Sequence, residues 1–248
     1  MVFHLITLFP EMFDSYLKES ILARAIKNKI INVKFYNPRD FVKPTKTQKG
    51  KEKPYLRVDE KPYGGGPGMV IQALPVIKAI EKAILSVSKK SSSSFLNPKR
   101  LPAKILEKQN LGGRALNPKL IWLVPNGKQF TTDYAKKTAN KFSDVIIICG
   151  RYEGIDERVR KIFKAEEISV GPFVLTGGEV PAMAIIDCVS RQLPSVLGDI
   201  NSLEESRIAS SEIYTRPEVL EYKGKKYRVP KVLLSGNHKK IEEWRDSK

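Results

Sequence analysis

The sequence predicts an α/β fold built on a parallel sheet, and three observations carry that prediction. Apolar strand-like runs at residues 3–9, 33–36, 119–125 and 145–149 alternate with segments whose apolar residues recur at helical spacing. Two loops rich in glycine and carboxylate, Cys149-Gly150-Arg151-Tyr152-Glu153-Gly154-Ile155-Asp156-Glu157-Arg158 and Val170-Gly171-Pro172-Phe173-Val174-Leu175-Thr176-Gly177-Gly178-Glu179, each leave such a run and lie too close together for independent sites. They read as two walls of one pocket at the carboxyl ends of neighbouring parallel strands, where open α/β sheets bind small molecules. A length of 248 residues is enough for a sizeable core with a small appendage.

The first strand, residues 3–9, ends at Pro10, and Met12, Phe13, Tyr16 and Leu17 then fall at helical spacing. Residues 33–36 form a short second strand stopped by Asn37-Pro38. Residues 43–61, rich in Lys, Thr, Gln and Pro without apolar period, read as a basic loop leading to Tyr63-Gly64-Gly65-Gly66-Pro67-Gly68-Met69. A helix follows with Ile71, Leu74, Ile77, Ile80 and Ile84 as its apolar positions. Residues 86–118 contain four consecutive serines, several lysines and two Asn-Pro pairs, and read as a surface insertion. The strand at 119–125 is followed by a helix from Thr132 to about Lys141 and then by the strand at 145–149. Helical spacing returns from Pro181 to Leu193. Residues 199–212 are polar and read as a linker, which leaves 1–198 as the main domain and 213–248 as a small basic C-terminal unit.

Forty-four Lys and Arg against 27 Asp and Glu give a formal charge of +17, which points to a polyanionic partner, nucleic acid ahead of an anionic membrane. No apolar run approaches the roughly 20 residues of a bilayer span. The amino terminus lacks the basic start and cleavage site of a signal peptide, so the expected location is cytoplasmic. Cys149 and Cys188 read as buried small hydrophobes, and with His4 and His238 far apart no metal site is expected.

Each motif also has a plain structural reading. The Gly64–Gly68 turn lacks the Lys-Ser/Thr of a P-loop and the spacing of a dinucleotide fingerprint, although its glycines would let a flat base approach the backbone. Arg151 to Glu157 can be a helix start with Asp156 and Glu157 in its first turn, or a ligand loop in which Glu153 receives an amine or hydroxyl. Arg191, four residues after Asp187, can be an intrahelical ion-pair partner or a functional cation. Glu204 and Glu205 look like solvated acids of the linker.

Seven motifs in order, Leu8-Phe9-Pro10-Glu11-Met12-Phe13, Asn37-Pro38-Arg39-Asp40, Pro62 to Met69, Gly150 to Arg158, Leu175 to Glu179, Tyr214-Thr215-Arg216-Pro217-Glu218 and Leu234-Ser235-Gly236-Asn237-His238, together resemble the bacterial tRNA (guanine-N1)-methyltransferases of the TrmD family. The resemblance runs nearly end to end. It implies a SPOUT-type α/β sheet with a deep trefoil knot, a small mostly helical C-terminal domain that grips the anticodon stem-loop, and an obligate homodimer. It further implies S-adenosylmethionine as methyl donor, N1 of guanosine 37 in tRNA as acceptor, and Mg2+ as an assisting cation without a dedicated site. The cofactor positions that match are Trp122, Leu123, Pro125, Gly150, Glu153, Val170, Gly171, Pro172, Phe173, Val174, Leu175, Gly177, Gly178 and Pro181; Pro67 and Gly68 match positions that hold the target base.

By the same resemblance Arg191 is the electrostatic partner and the general base is a linker acid, an aspartate in the family and Glu205 here when Ser206 is aligned with the serine that follows it. An ungapped alignment puts Ser206 in the base position instead. Pro172 stands where the family usually has an acid and Trp122 where tyrosine is common. The family's C-terminal helices continue further than residues 244–248, a difference that the basic segments at 43–61 and 86–108 are expected to offset. The alternative reading is a catalytically silent or altered-specificity RNA-binding paralogue with the same fold.

Overall fold

Two runs with no polar face set the architecture. In the computed structural model, which describes residues 1–43, 56–88, 110–111, 114–115, 117–197 and 212–247, every residue of β1 (Val2–Ile6) is buried, as is every residue of β8 (Asp144–Ile148). Strands apolar on both faces belong in the middle of a parallel sheet covered on both sides. That is where they lie.

In chain order, β1 leads through a 3-10 turn at Pro10–Phe13 to α1 (Asp14–Leu17) and α2 (Ser20–Lys27), then β2 (Asn32–Tyr36) and a second 3-10 turn at Pro38–Phe41. The short β3 (Asp59–Glu60) and β4 (Val70–Ile71) pair with each other ahead of α3 (Ala73–Ser88). A second small pair, β5 (Asn110–Leu111) with β6 (Arg114–Ala115), precedes β7 (Lys119–Gln129), α4 (Thr132–Lys141), β8, α5 (Glu157–Phe163), β9 (Glu166–Ser169) and α6 (Glu179–Arg191). The main sheet is five-stranded and parallel throughout, in the order β2-β1-β8-β7-β9.

Alternation along the strands sorts the core into two layers. Phe3, Leu5, Val145 and Ile147 face α2, α4 and α6 through Leu22, Ala135, Ala139, Ile185, Ile186 and Val189. Ile6, Ile146 and Ile148 face α3 and α5 through Val76, Ile80, Val159 and Phe163. His4 sits within this sheet with no exposed surface, its Nε2 3.0 Å from Asp144 Oδ1 and its Nδ1 3.0 Å from Tyr36 Oη. Both ring nitrogens are satisfied, so His4 is a structural residue.

Four expectations change. The strands carrying the two glycine loops, β8 and β9, are not neighbours, because β7 lies between them. β7 does not end at Pro125: Leu123 pairs with Ile168, residues 124–127 loop out, and Lys128 pairs with Ile168 again. Ile71 is a strand residue, and α3 buries Val76, Ala79, Ile80 and Ala83 while Leu74 is exposed, since small alanines bring the helix close to the sheet. The β5/β6 pair falls inside the segment read as an insertion; most of residues 86–118, and 44–55 of the basic loop, lie outside the described residues.

The chain divides into compact units Met1–Val196 and Leu197–Lys248. The second is mixed rather than mostly helical: β10 (Val219–Tyr222) and β11 (Lys225–Arg228) form a hairpin before α7 (Lys231–Leu234) and α8 (His238–Asp246). Lys223 and Gly224 both have positive φ, the requirement of a two-residue turn whose twist matches the strands.

At the amino edge of β9, Glu166 joins three elements. Tyr134 Oη on α4 donates to it at 2.8 Å, Lys119 on β7 pairs with it, and Lys128 Nζ stands at 3.9 Å. Burial alone would raise its pKa, but these donors and charges outweigh burial and hold it below the ordinary carboxylate value. A carboxyl whose folded pKa is depressed stabilises the fold above its unfolded pKa, and that contribution is lost as pH falls through the folded value. Glu166→Gln should therefore lower unfolding free energy by about 1 kcal/mol at pH 7. In urea titrations the gap from wild type should close as pH drops below about 4.

Candidate functional site

The bulge within β7 and the loops at the carboxyl ends of β8 and β9 enclose a cleft of about 330 Å³, within the usual size of small-ligand pockets. The bulge of β7 supplies Val124 and Pro125, with Trp122 and Leu123 before it. The loop after β8 supplies residues 150–155, and the loop after β9 supplies most of residues 168–178, with Pro181 from the start of α6. Of the fourteen positions expected to line such a pocket, thirteen do. Pro172 is exposed and is not among the lining residues, because Ser169 Oγ bonds both to the Gly171 carbonyl at 2.9 Å and to its N–H at 3.2 Å, closing a tight turn.

Glycines here are dictated by packing. A Cβ on Gly178 would lie 2.6 Å from Cys149 Cα, and one on Gly127 would lie 2.7 Å from the Ile168 nitrogen, so backbone meets backbone at both places. Gly178 N–H donates to the Gly150 carbonyl at 2.9 Å, tying the second loop to the first. On the other side, Glu153 N–H donates to the Met69 carbonyl at 2.9 Å. The Glu153 carboxylate occupies the space a Gly68 Cβ would need, at 2.5 Å. The glycine-rich turn at 64–68 is thereby brought against the cleft wall, with Pro67 exposed beside it.

Asp156 is the N-cap of α5, accepting from Arg158 N–H at 3.0 Å, so the motif is a helix start, and residues 150–155 ahead of that helix line the cleft. Side-chain hydrogen bonding by Arg158 holds the Asp156 pKa below the ordinary carboxylate value. Cys149 is buried, and burial pushes its thiol pKa up with the Glu179 charge adding to the effect, as befits an inert packing residue.

Arg191, half-buried, closes the far end of α6 and does not line the cleft. At about 1.5 Å rise per residue it is roughly 15 Å from Pro181. Asp187, read as its intrahelical partner, receives the Tyr16 hydroxyl, and that hydrogen bond pushes the Tyr16 pKa up to about 12. Glu205 and Ser206 lie outside the described residues. Among the described residues no group of three or more His, Cys, Asp or Glu is placed to hold a metal, and no helix is long and apolar enough to cross a membrane.

Over residues 1–248 the sequence matches the family model described as tRNA (Guanine-1)-methyltransferase TrmD. The chain belongs to the TrmD family. A tRNA (guanine-N(1)-)-methyltransferase of Clostridioides difficile is 41% identical, with 99% of this chain and 90% of that relative covered. One from Methylobacillus flagellatus is 40% identical over 98% of this chain and 80% of its own length. The crystal structure of tRNA (m1G37) methyltransferase from Aquifex aeolicus superposes with a TM-score of 0.68 at 33% identity, covering 100% of this chain and 88% of that one. The five-stranded α/β fold is therefore that of a TrmD family member.

Residues missed at the sequence level are Arg151 and the pair behind it. Glu179 is fully buried, accepting from Arg151 Nε at 2.8 Å and from Thr7 Oγ1 at 2.8 Å. The signal was an acid directly after two glycines at a helix start, where the macrodipole favours negative charge.

Gly178 has an ordinary φ of −82°, so alanine there meets only a steric barrier. Gly178→Ala should cost roughly 2 kcal/mol or more in urea unfolding, since backbone cannot yield as a side chain can. Gly178→Ser should be at least as damaging.

Proposed function

We propose that this chain, as a homodimer, transfers the methyl group of S-adenosylmethionine to N1 of guanosine 37 in tRNA. The observation that carries the reading is the cleft formed by the β7 bulge and the loops after β8 and β9 in a member of the TrmD family. Its chemistry fits this cofactor. Trp122, Leu123, Pro125 and Val170 offer apolar surface for a base, the glycine-bearing loops at 150–154 and 177–178 expose peptide groups, and Glu153 gives a carboxylate for an amine or hydroxyl. The cofactor supplies an electrophilic sulfonium methyl. In the proposed topology the cleft loops belong to a deep trefoil knot, an exception to the usual rule against threading.

Guanine N1 carries a proton at neutral pH, so its attack needs a base at N1 and a cation near O6, where negative charge builds. Glu205 takes the N1 proton in this reading, and Arg191 holds the charge on O6. Glutamate has nearly the basicity of aspartate. Pro67 and Gly68, beside Glu153, present a flat backbone to the target base. Because Arg191 stands at the far end of α6 from the cleft of its own chain, a second copy is the natural source of both arginine and linker base. Mg2+ assists without a dedicated protein site.

The remaining assignments follow from the same reading. Residues 1–198 bind the cofactor, 199–212 carry the base, and 213–248 grip the anticodon stem-loop. The +17 charge supplies the salt-sensitive, phosphate-directed part of RNA affinity. A cytoplasmic location goes with a tRNA substrate.

Labelled S-adenosylmethionine should methylate a tRNA transcript with guanosine at position 37 and leave an adenosine-37 control unlabelled. Glu205→Gln should reduce single-turnover methyl transfer by a factor on the order of 100 or more, and Ser206→Ala should leave it near wild type. The reverse pattern would move the base to Ser206. No transfer despite cofactor and RNA binding would make the chain a silent RNA-binding paralogue.

A further inference from the structure

We propose that Arg151 and Glu179 are positioning residues, a charged clamp that fixes the spacing of the two glycine-bearing cleft walls and thereby sets cofactor affinity. The inference rests on the cofactor reading of the cleft and adds a function for two residues that reading leaves unused.

Arg151 belongs to the wall after β8 and itself lines the cleft. Its Nε donates to Glu179 Oε2 at 2.8 Å, its Nη1 to the Thr176 carbonyl at 3.3 Å, and its Nη2 to Met12 Sδ at 2.8 Å. The guanidinium also lies 4.8 Å from the centre of the Phe9 ring. Three segments, those after β1, β8 and β9, therefore meet on one side chain. Glu179 has no exposed surface, and its second oxygen accepts from Thr7 Oγ1 at 2.8 Å. Backbone contact follows the same line: Arg151 and Gly177 form an isolated antiparallel bridge.

A buried carboxylate is costly, and an apolar residue of similar volume would stabilise a helix start against a sheet at least as well. The arrangement is better suited to geometry than to stability. Only a planar, multi-donor cation can hold the Thr176 carbonyl and the Glu179 carboxylate at once, and lysine cannot reproduce that fork. With the fork in place, the peptides of 174–177 face the cleft from a fixed distance. Loosening it leaves the second wall held by backbone contacts, Gly178 N–H to the Gly150 carbonyl and the bridge of Gly177 with Arg151, while the Glu153 and Gly68 side of the cleft keeps the Glu153 N–H bond to the Met69 carbonyl.

The test measures S-adenosylmethionine binding by calorimetry and the separate KM values for cofactor and tRNA, using the full chain, Arg151→Lys, Glu179→Gln and the double variant. Each single change should weaken cofactor binding about tenfold or more. The cofactor KM should rise while the tRNA KM stays put, and the double variant should bind no worse than the weaker single one. A merely structural pair would lower the melting temperature without that split. Should a variant fail to fold, hydrogen exchange on the wild type decides: cofactor should protect residues 150–155 and 170–178 together. Wild-type affinity in all variants, multiplicative losses, or protection of one loop alone would overturn the clamp. A wild type that binds no cofactor would overturn the cleft reading, and the clamp with it.

Discussion

The cleft depends on how closely β7 and β9 can approach at Gly127. Ile168 lies opposite Leu123 and again opposite Lys128, so the residues between leave the ladder and the strand then rejoins it. Rejoining is possible only because position 127 has no side chain: its missing Cβ would sit 2.7 Å from the Ile168 nitrogen. Everything downstream uses this geometry. The looped-out residues put Val124 and Pro125 into the cleft, and β9 is held in place to deliver its own loop from the opposite side. Gly178 repeats the device one layer on, letting the start of α6 press against the Cys149 backbone.

Local chemistry was legible in the sequence where it was decided locally. The run at 145–149 is a strand because nothing polar interrupts it, and α4 begins where expected because Thr131 caps it, accepting from Tyr134 N–H at 3.2 Å. The two glycine loops were readable as walls of one cleft because they lie too close together in the chain for independent sites, and both line it. What failed was relational. Neither spacing nor composition tells which strand lies between β8 and β9. The face of α3 was only partly located: Ile80 is in the core with Ile77 and Ile84 against it, but Leu74 is exposed and Ala79 and Ala83 went unnoticed, since hydrophobic spacing favours isoleucine and leucine whereas close packing on a sheet prefers the small residues. The Asp187 pairing was missed for a similar reason, since its partner Tyr16 is distant in the chain.

The acids and bases of the chain are used differently. Asp144 and Glu179 are buried against His4 and Arg151, and Glu166 is half-buried against Lys119 and Tyr134, so several carboxylates are consumed in fixing elements to one another. Many lysines and arginines remain exposed, among them Lys225, Lys226 and Arg228 on the C-terminal hairpin with Tyr222 and Tyr227 beside them. A fold that spends carboxylates inside and keeps cations outside acquires a strong positive field without losing internal pairing. Such a surface, with aromatic faces among its cations, suits the proposed RNA substrate.

In the proposed mechanism, helix α6 is the element that calls for a second chain. Its first turn lines the cleft through Pro181 and is tied by the buried Glu179 to Arg151 and Thr7, contacts that a rotation of the helix would break. Its buried face, from Ala182 to Val189, fixes its direction against the sheet. Arg191, in the last turn of α6, lies at the other end of the helix from Pro181 and does not line the cleft. An arginine roughly 15 Å along the helix from Pro181 would, in the proposed mechanism, serve the cleft of a partner copy. A two-fold partner meets that condition for both copies at once, because an isologous contact supplies each cleft with the other chain's helix end. In the proposed mechanism the catalytic centre is then a property of the pair, with the end of α6 in one copy serving the cleft of the other.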